Sequence, residues 1–168
     1  MIICDAVCVN RPGTGKTVTI VEAIRQLLNR DPNTRILACA PSNSAADLIA
    51  EKLSVIGRAN LFRLNALSRN YDENFPRQLE PFSLLNGNLV FAIPEVETLR
   101  SYRVVVSTCI SGGIPSALGI KRGHFNHIFI DEAGQATEPE IMVMWILSVE
   151  VTEYELNTLI IGSHQIVS

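Results

Sequence analysis

The chain has 168 residues, of which 47% are hydrophobic and 18% are charged. That length suits one domain, and no apolar run approaches the roughly 18 residues that a membrane span needs. The net charge of −3 argues against nucleic-acid binding through bulk electrostatics, although a local groove can hold a strand on an acidic protein. The N-terminal apolar run contains Asp5 and has no basic lead-in, so it is a poor signal peptide. We expect an intracellular protein in the cytoplasm, with the nucleus as the alternative.

Hydrophobic periodicity switches repeatedly between strand-like and helix-like patterns along the chain, which is typical of an α/β domain. The predicted strands are residues 6–9, 36–40, 102–107, 127–130 and 158–161. The predicted helices are residues 16–28, 44–55 and 138–147. Loops and a small surface excursion are predicted for residues 65–100, and a Gly-Gly turn for residues 112–113. We therefore predict one doubly wound domain with a mainly parallel sheet and its site at the carboxyl ends of the strands.

The four cysteines are Cys4, Cys8, Cys39 and Cys109. They form no CxxC pair and no Cys/His ligand set, so buried thiols are the favoured interpretation over a structural zinc site.

The strongest functional signal is a glycine-rich loop between the first predicted strand and the first predicted helix. Its residues are Pro12, Gly13, Thr14, Gly15, Lys16 and Thr17. Triphosphate binding requires several backbone amides aimed at one point, and a helix N-terminus adds partial positive charge. Lys16 is predicted to reach the β- and γ-phosphates of ATP, and the Thr17 hydroxyl is predicted to bind Mg²⁺. The competing interpretation is an ordinary glycine-rich turn.

One position departs from the full phosphate-loop pattern, which has glycine five residues before Gly15. This chain has Asn10 there, and asparagine tolerates positive φ better than most residues. We expect the loop to form with some strain, so Asn10→Gly should tighten the binding of an ATP analogue. Unchanged or weaker binding in a titration contradicts the strain argument.

A second motif consists of the apolar run at residues 128–130 followed by Asp131 and Glu132. Asp131 is predicted to hold Mg²⁺ through water, and Glu132 is predicted to orient and deprotonate the attacking water. Alone, such a run is often only a strand end that enters solvent. Together with the phosphate loop it indicates a P-loop NTPase.

Taken in order, these segments resemble superfamily 1 helicases, in the branch of the up-frameshift decay helicase and the Moloney-leukaemia-virus/Armitage RNA-silencing helicases. Residues 12–28 (PGTGKTVTIVEAIRQLL) resemble motif I, and residues 36–53 (ILACAPSNSAADLIAEKL) resemble motif Ia. Residues 63–69 are similar to a segment that follows in the family. Residues 104–109 (VVVSTC) resemble motif Ic, and residues 131–140 (DEAGQATEPE) resemble motif II. The resemblance implies a three-layer RecA-like domain of an ATP-dependent RNA helicase that uses Mg²⁺.

The resemblance also implies backbone contacts to single-stranded RNA, although the residues alone do not separate RNA from DNA. It assigns these contacts to Pro41, Ser42, Asn43, Ser44 and Thr108. Small polar side chains can hold phosphates and sugars without reading bases. The alternative is that Ser42 or Ser44 only caps the following helix, with Asp47 as the acid of its first turn, and the two roles are compatible. Gln135 is implied to help couple the nucleotide to the nucleic acid.

The last segment departs from the family pattern, which reads Gly-Asp-x-x-Gln-Leu and uses the glutamine to sense the γ-phosphate. Here residues 162–166 read GSHQI, so the acid is missing and the candidate sensor Gln165 arrives one residue early. We expect the second motor domain, with the family's arginine fingers, to lie outside residues 1–168. The expectation is that residues 1–168 form an incomplete first motor domain that acts with a second RecA-like domain.

Three functions compete on these grounds. The first is the ATP-binding and hydrolysing half of an RNA helicase motor. The second is a degenerate P-loop module that binds nucleotide or a partner without useful turnover, which Asn10 and the altered residues 162–166 favour. The third, a small-molecule kinase, shares the phosphate loop but has no need of the Asp131-Glu132 pair, so it ranks lowest.

Overall fold

The computed structural model describes residues 16–72, 74–132 and 158–160 of the chain. Its strands are β1 Ile36–Ala40, β2 Leu61–Leu64, β3 Val104–Thr108, β4 His127–Ile130 and β5 Thr158–Ile160. They form one sheet in the order β2-β3-β1-β4-β5, and each neighbouring pair is parallel. The parallel α/β architecture predicted from the sequence is confirmed.

The described helices are α1 Lys16–Arg30, α2 Asn43–Leu53, α3 Val96–Ser101 and α4 Ile114–Ala117. Segments of 3-10 helix cover Ser54–Ile56, Arg77–Phe82 and Ser111–Gly113. The chain turns out of α1 at Asp31, whose Oδ1 accepts a hydrogen bond from the Asn33 backbone N–H at 2.8 Å. None of these helices is long and apolar enough to cross a lipid bilayer.

Both faces of the sheet are buried, which explains why the central strands read as continuous apolar runs. On one face, alternate strand residues such as Ala38 and Val106 pack against the apolar sides of α1 and α2. On the other face, Leu37 and Val105 pack in a second cluster with Leu99 of α3. Helices therefore cover the sheet on both sides, and the domain has three layers.

The apolar stripe of α1 consists of Ile20, Val21, Ile24 and Leu28, all of them buried. This spacing places the four side chains on one side of a helix with 3.6 residues per turn. Burial of each side chain contributes about 1.5–3 kcal/mol. The stripe fixes the direction of α1, and with it the position of the residues at its first turn.

Several elements predicted from periodicity agree with the structure. Strands β1 and β4 have the predicted bounds, and the helix predicted for residues 16–28 continues to Arg30. The strand predicted to begin at residue 102 begins at Val104, and the helix predicted from residue 44 begins at Asn43. Cys39 and Cys109 are buried, as predicted. The strand predicted at residues 6–9 and the helix predicted at residues 138–147 lie outside the described residues.

Other predictions were wrong or incomplete. Strand β2 was missed, because no element was predicted for residues 61–64. Helix α3 was missed because residues 65–100 were predicted to contain only loops and an excursion. The Gly-Gly turn is instead a 3-10 turn that leads directly into α4. An excursion does occupy residues 65–92, where isolated antiparallel bridges join Asn70 to Val90 and Leu85 to Phe91.

Candidate nucleotide and nucleic-acid sites

The carboxyl ends of three neighbouring strands form one edge of the sheet. Strand β1 lies between β3 and β4, with Ala40 in register with Thr108 and Cys39 in register with Ile130. The backbone N–H of Asp131 continues this pairing by donating to the Cys39 carbonyl at 2.8 Å. Residues that follow these strands therefore meet at the edge where open parallel sheets bind their ligands.

Helix α1 and strand β4 bring two predicted site residues into direct contact at this edge. The Thr17 hydroxyl, in the first turn of α1, donates to Oδ2 of Asp131 at 2.7 Å across 114 residues of sequence. Asp131 is only 2% exposed, so the hydroxyl satisfies one oxygen of a carboxylate that is withdrawn from water. The sequence interpretation requires the start of α1 and the acidic pair to share one side of the sheet, and Thr17 and Asp131 do so.

The second acid has an unusual backbone conformation. Glu132 has φ of 51°, in the left-handed region that non-glycine residues rarely adopt. Its backbone N–H donates to Oδ1 of Asp131 at 3.0 Å, so both oxygens of Asp131 have partners. Strained backbone of this kind is concentrated at functional sites, where the surrounding structure holds it in place. The Glu132 side chain is half-buried.

The chemistry of this pair fits a magnesium ion. Hydroxyl and carboxylate oxygens are the ligand types that Mg²⁺ prefers, and the ion usually keeps waters and binds substrate phosphates in addition. Thr17 and Asp131 supply one oxygen of each type at hydrogen-bond distance. The metal roles of both residues stay predictions.

Lys16 is the first residue of α1, and its side chain is half-buried. The other predicted nucleotide-site residues lie outside the described residues: Pro12, Gly13, Thr14, Gly15, Gln135 and Gln165. Asn10 and the altered residues 162–166 lie outside them as well. The roles assigned to these positions therefore stay predictions.

The residues predicted to contact nucleic acid lie on the loop between β1 and α2 and at the end of β3. Ser42 is in extended conformation, and its Oγ accepts from the backbone N–H of Ala45 at 3.2 Å. The predicted capping role of Ser42 is thereby confirmed. The Ser44 hydroxyl lies 3.1 Å from that of Ser42, and both side chains are exposed, so capping leaves this surface open to a ligand.

Thr108 ends β3 beside the loop that follows β1. Its Oγ1 accepts from the backbone N–H of Ser111 at 3.2 Å and donates to the Ser111 hydroxyl at 3.1 Å. The hydroxyl therefore stabilises the turn after β3. Its predicted contact with nucleic acid stays a prediction.

The proposed role of Asp47 as an acid in the first turn of α2 is wrong. The first turn contains no acid, and Asp47 is buried at 5% exposure further along the helix. Its Oδ1 accepts from Nε of Arg63 at 2.8 Å, and its Oδ2 accepts from Nη2 of Arg69 at 2.6 Å. A helix dipole favours acids only near the N-terminus, whereas a buried carboxylate requires a partner of opposite charge wherever it lies.

Arg63 and Arg69 were missed as candidate functional residues. Arg63 lies in β2 with no exposed surface, and burial lowers its pKa to about 10 against the opposing effect of Asp47. The guanidinium of Arg69 lies 4.9 Å from the ring centroid of Phe75 and 5.7 Å from that of Phe91, which ties the excursion to α2. The available signal was a charged residue inside each of two apolar segments, Asp47 in α2 and Arg63 in β2. Such residues, when buried, require each other.

These features define a RecA-like, three-layer α/β domain with a candidate nucleotide site at the carboxyl edge of its sheet. A family model described as an AAA domain matches residues 6–86. The chain is 50% identical over 136 residues to putative helicase mov-10-B.1 of Danio rerio, a match that covers 79% of the chain and 13% of that protein. It is 42% identical over 135 residues to RNA helicase Mov10l1 of Homo sapiens, covering 79% of the chain and 10% of that protein.

A third relative is the probable RNA helicase armi of Drosophila melanogaster, 32% identical over 152 residues, with 79% of the chain and 13% of that protein covered. The chain belongs to the up-frameshift and Moloney-leukaemia-virus/Armitage branch of superfamily 1 helicases, as the order of its motifs indicated. It spans 10–13% of the length of these three relatives.

Proposed function

We propose that this chain is the ATP-binding and hydrolysing half of an RNA helicase motor, with Mg-ATP and single-stranded nucleic acid as its ligands. The observation that carries the proposal is the 2.7 Å hydrogen bond from Thr17 to Asp131. Two motifs that are 114 residues apart, each predicted to serve the same metal-bound triphosphate, meet at the edge of the sheet where nucleotides bind. An ordinary strand end and an ordinary turn have no reason to meet in this way.

Each residue of the nucleotide site has a distinct role in this proposal. The backbone amides of residues 12–17 and the positive end of α1 hold the phosphates, and Lys16 neutralises the β- and γ-phosphates. Bound Mg²⁺ supplies further neutralisation of the phosphate charge. Thr17 and Asp131 each orient an oxygen toward the metal position, Asp131 through water. Gln135 and Gln165 are proposed to respond to the nucleotide, with Gln165 as the γ-phosphate sensor in spite of its shifted position.

Glu132 is the proposed general base. Its carboxylate accepts the proton of the attacking water, and its left-handed backbone, with φ of 51°, supports a functional role for this position. The adjacent acid Asp131 has both oxygens engaged by hydrogen bonds, which leaves Glu132 as the carboxylate that can accept a proton. In this division of roles, Asp131 serves the metal ion and Glu132 serves the attacking water.

The nucleic-acid strand is proposed to pass over the same edge, along Pro41, Ser42, Asn43, Ser44 and Thr108. The pairing of Ala40 with Thr108 supports this path, because it sets the loop after β1 beside the end of β3. These side chains suit phosphates and sugars, so binding should be independent of base sequence. RNA is favoured over DNA because the human relative is named an RNA helicase and the Drosophila relative a probable RNA helicase.

The chain matches only a small part of much longer helicases, so unwinding is proposed for an assembly with a second RecA-like domain. An arginine supplied from outside a phosphate loop typically accelerates hydrolysis by about 10³–10⁵. We therefore expect the chain by itself to bind nucleotide weakly and to unwind negligibly. The degenerate P-loop module is the second candidate, because Asn10 replaces a glycine of the pattern and residues 162–166 lack its acid.

An ATPase assay with and without single-stranded RNA tests the proposal. We expect slow turnover that RNA stimulates and that Glu132→Gln abolishes. Glu97→Gln is the matched control, since it makes the same chemical change at an exposed position in α3, a helix that leads into the opposite end of the sheet. Nucleotide binding without turnover under any condition favours the degenerate module, and phosphoryl transfer to a metabolite contradicts both.

A further inference from the structure

We infer that Arg63 is a positioning residue for nucleic-acid binding. From inside the domain it holds the side-chain amide of Asn43 in one orientation, in which the amide N–H groups are available to the nucleic-acid strand. The inference rests on the nucleic-acid site proposed at the start of α2. It adds a residue that lies beneath this site and is buried from any ligand.

Arg63 makes hydrogen bonds in three directions from a position with no exposed surface. Nε donates to Asp47 Oδ1 at 2.8 Å, Nη1 donates to the Leu64 carbonyl at 2.8 Å, and Nη2 donates to Asn43 Oδ1 at 3.2 Å. A guanidinium is planar, so two of these contacts fix the direction of the third. Asn43 therefore accepts a hydrogen bond from a donor, Nη2 of Arg63, whose position is fixed by β2 and by α2.

The chemistry of this contact determines the orientation of the asparagine amide. A guanidinium has donors and no acceptor, so the atom of Asn43 that faces it must be the oxygen. The reversed amide would set N–H groups against N–H groups and lose a hydrogen bond to a charged group. The –NH₂ group of Asn43 is consequently kept off Arg63, and Asn43 is a half-buried residue between the exposed residues Ser42 and Ser44 in the chain.

An asparagine without this partner could present either its oxygen or its nitrogen to a ligand. Only the nitrogen is useful toward phosphate oxygens, because these accept hydrogen bonds and have none to donate. Arg63 thus selects the amide orientation that the phosphates of a nucleic-acid backbone require. A base-reading site would gain from both orientations, whereas a site for phosphates gains from one.

The charge balance beneath the site acts in the same direction. Among the described residues, Asp47 is the one carboxylate in contact with the two guanidinium groups of Arg63 and Arg69, so this group of three has a net charge of +1. That charge is buried behind the first turn of α2, where the helix dipole is also positive. An anionic strand above Asn43 is therefore favoured electrostatically as well as by hydrogen bonding.

A double-mutant cycle tests the inference, with the affinity for a fluorescein-labelled oligouridylate measured by anisotropy. Asn43→Ala and Arg63→Lys are each expected to weaken RNA binding about fivefold to tenfold, the loss of roughly one hydrogen bond. In the Asn43→Ala background, Arg63→Lys should weaken binding less than about twofold further, because its effect passes through Asn43. Arg69→Lys is the matched control: it alters the same ion-pair group without touching Asn43, so RNA affinity should stay within about twofold.

Two results overturn the inference. One is an equal loss of RNA affinity from Arg63→Lys in both backgrounds, and the other is a parallel loss of Mg-ATP analogue binding, which indicates general damage to the fold. If Arg63→Lys does not fold, ¹⁵N spectra of the unsubstituted chain decide. The side-chain –NH₂ signal of Asn43, assigned by its absence in Asn43→Ala, must shift when RNA is added, and an unmoved signal with RNA bound refutes the role. No RNA binding by the unsubstituted chain instead refutes the proposed nucleic-acid site itself, and the inference with it.

Discussion

Replacement of Asp47 by asparagine should destabilise the domain strongly. Asp47 accepts hydrogen bonds from Nε of Arg63 at 2.8 Å and from Nη1 and Nη2 of Arg69 at 2.9 and 2.6 Å. Asparagine keeps one acceptor oxygen and turns an –NH₂ group toward a guanidinium. The substitution therefore leaves two buried or nearly buried positive charges without a counter-charge among the described residues.

The magnitude follows from the burial of the two arginines. Removal of one partner from a buried ion pair costs about 3–5 kcal/mol. Arg63 is fully buried, whereas the side chain of Arg69 is 13% exposed and keeps some contact with water, so we expect the lower end, about 3 kcal/mol. A domain of this size loses roughly 2–4 °C of melting temperature per kcal/mol, so Tm should fall by about 6–12 °C.

Thermal unfolding followed by circular dichroism measures this shift, and urea unfolding gives the free energy directly. Asp72→Asn is the control, because Asp72 is exposed and its Oδ1 accepts from the Asn74 backbone N–H, which an asparagine oxygen can also do. A loss below about 1 kcal/mol for Asp47→Asn, or one no larger than that of the control, refutes the buried ion-pair account.

Three further predictions concern single residues. Ser42→Ala removes the cap of α2 and should cost about 1 kcal/mol in urea unfolding, and no measurable loss contradicts the capping assignment. Burial raises the pKa of the Cys39 thiol to about 12. Between about pH 9 and pH 12 the folded chain therefore keeps a proton that the unfolded chain has released, so stability should fall as pH rises through this range. The free energy of unfolding should be lower by about 1.4 kcal/mol at about pH 10. Cys39→Ala should flatten this dependence of stability on pH, and an unchanged dependence contradicts the assignment to Cys39. Glu132→Asn places a residue that tolerates positive φ at a strained position, so it should raise stability by about 1 kcal/mol while abolishing ATP hydrolysis, and retained turnover excludes Glu132 as the base.

The central parts of the fold could be predicted because they depend on local patterns. Strands β1 and β4 are continuous apolar runs, and α1 has an apolar stripe at helical spacing, so each element was recognisable from its own residues. The meeting of Thr17 with Asp131 was also predictable, since two motifs that are predicted to serve one ligand must converge. Strand β2 was hidden because Arg63 interrupts a run of only four residues, and charge inside an apolar run usually marks a loop.

The remaining features depend on contacts that sequence patterns do not contain. The two side-chain partners of Arg63 lie on α2, 16 and 20 residues earlier, so its burial depends on tertiary packing. Helix α3 has six residues and no side-chain cap at Glu95, which is too little for periodicity to detect. The left-handed backbone of Glu132 is likewise imposed by its surroundings, because glutamate has no preference for that conformation.

The central claim is that one magnesium triphosphate lies between the first turn of α1 and the end of β4. Calorimetric titration with a non-hydrolysable ATP analogue, with and without Mg²⁺, tests it most directly. The account predicts that the unsubstituted chain binds more tightly with Mg²⁺ and that Thr17→Val removes this gain. Thr98→Val, the same change at an exposed position in α3, should preserve it. Equal Mg²⁺ dependence in Thr17→Val and the unsubstituted chain contradicts the claim.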